Sequence, residues 1–192
     1  MAGSAASPRV AEALVGKAIE MKNFHGFIQV AGVLHPGPVV WELSSVRFAE
    51  IFGASVTASF QMARVAFPHL IEAGGGIAVF FGSGASEIVV PGMGAYCAAK
   101  AAEEHLARQL SAEAPKITTF VFRPGVVNTP MVRSAIHARG MAAEGLREQF
   151  TVYERSGELL APEISARALV TILKNNPRRF HGKIATWRDG AQ

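Results

Sequence analysis

The chain has 192 residues, 49% hydrophobic and 18% charged, enough apolar material for one folded domain and too little charge for a disordered chain. No apolar run reaches the roughly 20 residues of a membrane-spanning helix, and the formal charge of +4 is scattered, with only Arg178 and Arg179 adjacent, so neither a membrane span nor a nucleic-acid surface is read. A single cysteine, Cys97, and six histidines without HxH or HExxH spacing exclude an internal disulfide and argue against a metal site. Met1 to Pro8 lack the charged front and apolar core of a signal peptide, so a cytoplasmic location is expected.

Ser7-Pro8 offers an N-cap and a first helical residue, and Val10, Leu14, Ala18 and Met21 recur at helical steps, which predicts a helix ending near Asn23. Phe24 to Val33 reads as a short buried strand, followed by a turn at His35-Pro36-Gly37-Pro38. From Ser45 to about Ala73, Phe48, Phe52, Val56, Phe60 and Ala63 fall at helical spacing, in one long helix expected to bend near Pro68. Ile77 to Phe81 is the next strand, and a helix from about Ala95 to Ala114 carries Ala99, Ala102, Leu106 and Leu110 on one face. Ile117 to Phe122 is β-branched and aromatic, a third strand. Residues 131 to 160 show weak periodicity and are read as a mobile helical excursion, a substrate lid with Met131, Met141 and Phe150 as its apolar residues. Pro162 opens a last helix to about Lys174, and Lys183 to Trp187 closes the chain as a short strand.

Alternating helices and apolar strands predict the α/β class, a parallel sheet covered on both faces within a single domain, 1 to 192. Ligands of such sheets sit beyond the carboxyl ends of the strands, here at loops 29 to 38, 82 to 95 and 123 to 130. Those loops bring forward Ser83, Tyr96 and Lys100. Tyr96 and Lys100 stand at i and i+4 on one helix face, and a cation beside a phenol favours its ionised form, which makes Tyr96 a candidate general acid/base. Ser83 offers a hydroxyl to the same reacting oxygen.

The segments Phe27-Ile28-Gln29-Val30-Ala31-Gly32-Val33, Phe81-Gly82-Ser83-Gly84, Tyr96-Cys97-Ala98-Ala99-Lys100 and Arg123-Pro124-Gly125-Val126-Val127-Asn128-Thr129-Pro130 come in the order found in the short-chain dehydrogenase/reductase family, which the chain resembles over most of its length. Glu158 to Gly190 is more weakly similar to the branch of sepiapterin- and benzil-reductase-like carbonyl reductases. The resemblance implies an oxidoreductase that reduces a small carbonyl compound, or oxidises an alcohol, with NADP or NAD. It implies Tyr96 as proton donor, Ser83 as the group orienting the carbonyl, and Lys100 touching the nicotinamide ribose. Ala31, Gly32, Tyr96, Lys100, Pro124, Gly125, Val127 and Thr129 would contact the cofactor, with Pro124, Val127 and Thr129 at the carboxamide. Gln29-Val30 stand where the family has Asn-Asn, and Ser55 stands at the family's relay asparagine, where it would hold a water. Cys97, beside the tyrosine, is read as a small packing residue.

The glycine-rich phosphate-binding turn of dinucleotide folds is not found: Gly74/Gly76, Gly82/Gly84 and Gly92/Gly94 lack the third glycine and follow later strands. The expected architecture is therefore a partial Rossmann-like three-layer sheet without its first βαβαβ portion, roughly 60 residues. Phe27 to Ala31 would then be an apolar edge strand, so weak cofactor binding and self-association, such as a homodimer, are expected. The alternative reading is a non-catalytic remnant or isoform that acts as an interaction module through its long helices.

Overall fold

Strand and helix alternate along the chain in a computed structural model that describes residues 3–4, 6–22 and 24–191. Helix α1 (Pro8–Glu20) starts on a proline whose fixed φ and missing N–H suit a first helical turn. There follow β1 (Gly26–Gln29), α2 (Ser45–Phe52), a π-helical turn (Gly53–Thr57), α3 (Ala58–Glu72), β2 (Gly76–Phe81) and α4 (Gly94–Glu113). The chain continues through β3 (Ile117–Arg123), α5 (Pro130–Ile136), α6 (Ala143–Arg155), α7 (Pro162–Asn175) and β4 (Ile184–Thr186). All pairings are parallel, in the order β1-β2-β3-β4. Each crossover runs through helix, as parallel neighbours require.

β2 and β3 are apolar at successive positions because both faces of the sheet are covered. Ala78, Phe80, Ile117 and Val121 pack against Ala63, Phe67 and Leu70 of α3 and Ala107 of α4. Val79, Phe120, Phe122 and Ala185 face the other way, against Ala168, Leu169 and Ile172 of α7 and against Phe180. The architecture is three layers of the α/β class. Burial of Phe80, Phe120 and Phe122, each at most 1% exposed, contributes about 1.5–3 kcal/mol apiece relative to exposure. Among the described residues no helix is long and apolar enough to cross a membrane.

The structure corrects several sequence expectations. In α1 the buried residues are Ala11 and Val15, whereas Leu14 is 47% and Met21 69% exposed, so the stripe facing α3 lies one residue beyond the expected one. The expected helix end at Asn23 lies outside the described residues. β1 covers four residues only, because Val30 onward leaves the sheet toward the ligand rim. It is an edge of the sheet, with Ile28 exposed and Gln29 buried. The long helix breaks its regularity not at Pro68, which lies inside α3, but in the π-helical turn that Gly53 opens. Residues 131 to 160 form two helices whose Ala135, Ala143, Leu146 and Phe150 share a core cluster with Tyr96, so they are packed, not a loose excursion. Their alanines bury little area and leave a weak hydrophobic pattern.

β4 is docked in part through His181, whose Nδ1 accepts the Thr119 N–H at 3.2 Å. Burial, with Arg178 nearby, holds this imidazole below its ordinary value. The folded state therefore takes up the proton less readily than the unfolded chain, and stability is complete above the unfolded value and falls as pH drops through it. Denaturation at about pH 5 should show lower stability than at about pH 7.5, because the unfolded chain binds the proton that the folded imidazole resists. His181→Asn, which keeps an acceptor that does not titrate, should remove that component of the pH dependence.

Candidate active site

Because β1, β2 and β3 run parallel, their carboxyl ends open on one rim of the sheet. Helix α4 begins at that rim and brings Tyr96 and Lys100 to it in its first two turns. Tyr96 is 8% and Lys100 3% exposed, and the Lys100 ammonium stands 5.8 Å from the centre of the Tyr96 ring. The ammonium donates to the Phe81 carbonyl at 2.8 Å, at the end of β2, and to the Glu103 carboxylate at 2.7 Å. The first loop arrives at the same place: a Cβ on Gly32 would lie 3.8 Å from Lys100 Nζ and 3.9 Å from Cε of Met131. Glu103 accepts the Ser59 hydroxyl at 2.7 Å with its other oxygen. Burial pushes the Glu103 carboxyl above the usual carboxylate range, against the opposing pull of Lys100 and Ser59.

Ser83 follows β2 directly and caps a short 3-10 turn, its Oγ accepting the Ala85 N–H at 3.2 Å. Its own N–H donates to Glu104 at 3.0 Å. Glu104, also buried, accepts the Ser86 hydroxyl at 2.9 Å and a two-pronged approach from Arg123, Nε at 3.0 Å and Nη2 at 2.7 Å. Arg123 reaches on to Glu87 at 2.8 Å. Hydrogen bonds to Glu104 and then Glu87 raise the Arg123 guanidinium above its ordinary value, so it is a permanent cation. Gly82 has to be glycine for this clamp to close, since a Cβ there would collide with the Glu104 carboxylate and with Val121.

Ser55 lies in the π-helical turn, fully buried, and its Oγ has no hydrogen-bond partner among the described residues. The loop after β3 is pinned: Asn128 N–H donates to the Leu160 carbonyl at 2.9 Å, and Leu160 N–H to the Val126 carbonyl at 2.8 Å. Gly125 turns there with φ +83°, and a Cβ would meet Leu160 and Trp187. Pro124, Val127 and Thr129 are half-buried on this fixed loop, Gly125 is exposed, and on the first loop Ala31 is exposed and Gly32 half-buried. Cys97 is half-buried beside the same core cluster, and burial pushes its thiol up, away from nucleophilic character.

A cleft of about 330 Å³ runs between Val90 and Pro91 and the start of α6, lined by Ala142, Gly145, Leu146 and Gln149. Of the three apolar residues expected on a lid, Met131 lies near Gly32 and Lys100, Phe150 is part of the core, and Met141 is 68% exposed.

Glu103, Glu104 and Arg123 are absent from the residue set read in the sequence. A signal existed: Tyr96, Ala99, Lys100, Glu103, Glu104 and Ala107 fall at helical spacing on one stripe, and that is the fully buried stripe of α4. Ala102, Leu106 and Leu110, expected on the inner face, are half-buried at its flank. Carboxylates read as solvent-facing by residue type, and only their alignment with Lys100 marks them.

Residues 2–140 match the family model described as short chain dehydrogenase. An uncharacterized oxidoreductase of Schizosaccharomyces pombe is 32% identical over 161 residues, covering 82% of this chain and 64% of its own. A benzil reductase ((S)-benzoin forming) of Saccharomyces cerevisiae is 29% identical over 175 residues, covering 85% and 66%. The matches thus span just under two thirds of the length of these curated relatives. The crystal structure of a short chain dehydrogenase/reductase from Saccharomyces cerevisiae shares the fold, with a TM-score of 0.88 at 24% identity over 98% of this chain and 76% of that one.

Proposed function

The chain belongs to the short chain dehydrogenase family, and from that premise we propose that it reduces a small carbonyl compound, or oxidises the corresponding alcohol, with NAD or NADP. The observation that carries this reading is the convergence at the sheet rim of Tyr96, Lys100 and Gly32 from two separate segments. Tyr96 would exchange a proton with the substrate oxygen, and Ser83, held by its backbone on Glu104, would offer its hydroxyl to that oxygen. Lys100 supports the tyrosine and has one N–H beyond the two given to Phe81 and Glu103. That N–H suits a ribose hydroxyl. The orphaned Ser55 Oγ, buried in the π-helical turn, suits an ordered water in the proton path.

The residues present fit the nicotinamide end of a dinucleotide. Gly32 leaves the space beside the ammonium free of side chain, with Ala31 next to it on the first loop, and the pinned loop from Pro124 to Thr129, turned at Gly125, offers a fixed wall. The bound nicotinamide would supply the hydride, and orientation and proton handling fall to the protein. The β1 edge, with Ile28 47% exposed, would favour pairing with a second copy.

The test is consumption of NADPH and of NADH by the purified chain with a panel of diketones and aldehydes. Turnover with at least one pair is expected. No turnover by a folded protein in any combination, together with a stable dimer, would favour a non-catalytic interaction module.

A further inference from the structure

Glu103 is a fully buried carboxylate for which the proton chemistry above has no task. Its partner Lys100 is equally withdrawn, with side chains 1% and 4% exposed. Taking two charges out of water is costly, and such a pair persists only when its remaining hydrogen bonds are met. They are met on both sides: Lys100 by the Phe81 carbonyl, Glu103 by the Ser59 hydroxyl. An aliphatic residue would fill the same space between α4 and α3 at less cost. What a carboxylate adds is a fixed anchor for the ammonium and a charge that offsets it.

We propose that Glu103 is a positioning residue which, braced by Ser59 on α3, sets where the Lys100 ammonium stands and how much of its charge reaches Tyr96. The proposal rests on the reading of Tyr96 and Lys100 as the catalytic pair. The ammonium is tied to the end of β2 and to the next turn of α4, so it cannot swing into the ligand space under the pull of a bound anion. The charged groups facing Glu103 are Lys100 and Glu104, both on α4, while α3 contributes the neutral Ser59 hydroxyl. Glu104 is itself neutralised by Arg123. Removing the negative charge of Glu103 therefore exposes Tyr96 to an uncompensated cation, which favours its ionised form.

The experiment compares the full chain with Glu103→Gln and Glu103→Met by pH–rate profile and by ¹⁵N spectra of the lysine ammonium groups. In Glu103→Gln, kcat should fall about tenfold to a hundredfold as the ammonium loosens. The limb of the profile set by Tyr96 should move about one unit toward lower pH, and cofactor KM should rise, since the loosened ammonium also holds the ribose hydroxyl less well. Glu103→Met, matched in volume, should show the same direction, which a packing role alone would not. A folded Glu103→Gln or Glu103→Met with the kcat and pH profile of the parent overturns the proposal. The ammonium spectra stand apart from turnover: a slowly exchanging Lys100 signal should be present in the parent and lost or shifted in Glu103→Gln. If the signal behaves so but the parent turns nothing over, the functional reading fails and the hold of Glu103 on Lys100 stands; if the signal is indifferent to Glu103→Gln, the proposal is wrong whatever the activity. Should Glu103→Met not fold, Ser59→Ala should give a smaller shift of the same sign, and no shift counts against the proposal.

Discussion

Glu104→Ala should destabilise the fold by about 3–5 kcal/mol, because it leaves the Arg123 guanidinium without its main partner in a site where it is 15% exposed. The arithmetic is that of a broken pair rather than a lost bond. Glu104 receives the Ser83 N–H, the Ser86 hydroxyl and both prongs of Arg123, so its loss leaves several donors unmatched at once. The remaining ion pair of Arg123, to Glu87, is 63% exposed on the glutamate side and replaces little. Urea denaturation measures the change directly. Replacing both partners by apolar residues, Glu104→Leu with Arg123→Met, should recover much of the stability, since neither charge is then stranded. It should not restore catalysis, because Ser83 loses the carboxylate that fixes its backbone. A loss below about 1 kcal/mol in the single variant would mean that the clamp is a surface pair in effect.

Tyr96→Phe should lower kcat by about 10²–10⁴, the usual contribution of a positioned acid/base group, while leaving the fold intact. The ring is 8% exposed and packs in the cluster formed by Ile51, Ala99 and Leu146, and all of that packing survives loss of the hydroxyl. The Lys100 ammonium is held by Phe81 and Glu103, not by the phenol, so it too should stay in place. The two readings separate in a KM-against-kcat comparison. Cofactor KM should change little and kcat should collapse; a parallel loss of cofactor binding and melting temperature would instead mark Tyr96 as a packing residue.

The legible part of the molecule is the part where one residue property decides the outcome. Ile117–Arg123 is β-branched or aromatic up to its last residue and can only be an inner strand, and Ala78 to Phe80 are continuous apolar residues because helices cover both faces. The motif Tyr96 to Lys100 is legible for the same reason: i, i+4 spacing on a helix leaves no freedom in where the lysine goes. Where two properties compete, reading fails. Glu103 and Glu104 are charged by type but buried by position, and the network of Lys100, Ser59, Ser83 and Arg123 that pays for their burial is scattered over four elements. The π-helical turn at Gly53–Thr57 is invisible to periodicity because one inserted residue per turn shifts the pattern without erasing it. Residues 131 to 160 were obscured by their alanines, which pack tightly while contributing little hydrophobic contrast.

In the proposed reaction, hydride and proton meet a substrate carbonyl beside Tyr96. Incubation of the chain with a carbonyl substrate and reduced nicotinamide cofactor carrying deuterium at both positions of its reactive carbon, followed by mass spectrometry of the product, is the direct test. An alcohol carrying deuterium at the former carbonyl carbon is expected, formed by the parent and lost in Tyr96→Phe. Unlabelled alcohol, or labelled alcohol formed equally by Tyr96→Phe, would contradict it.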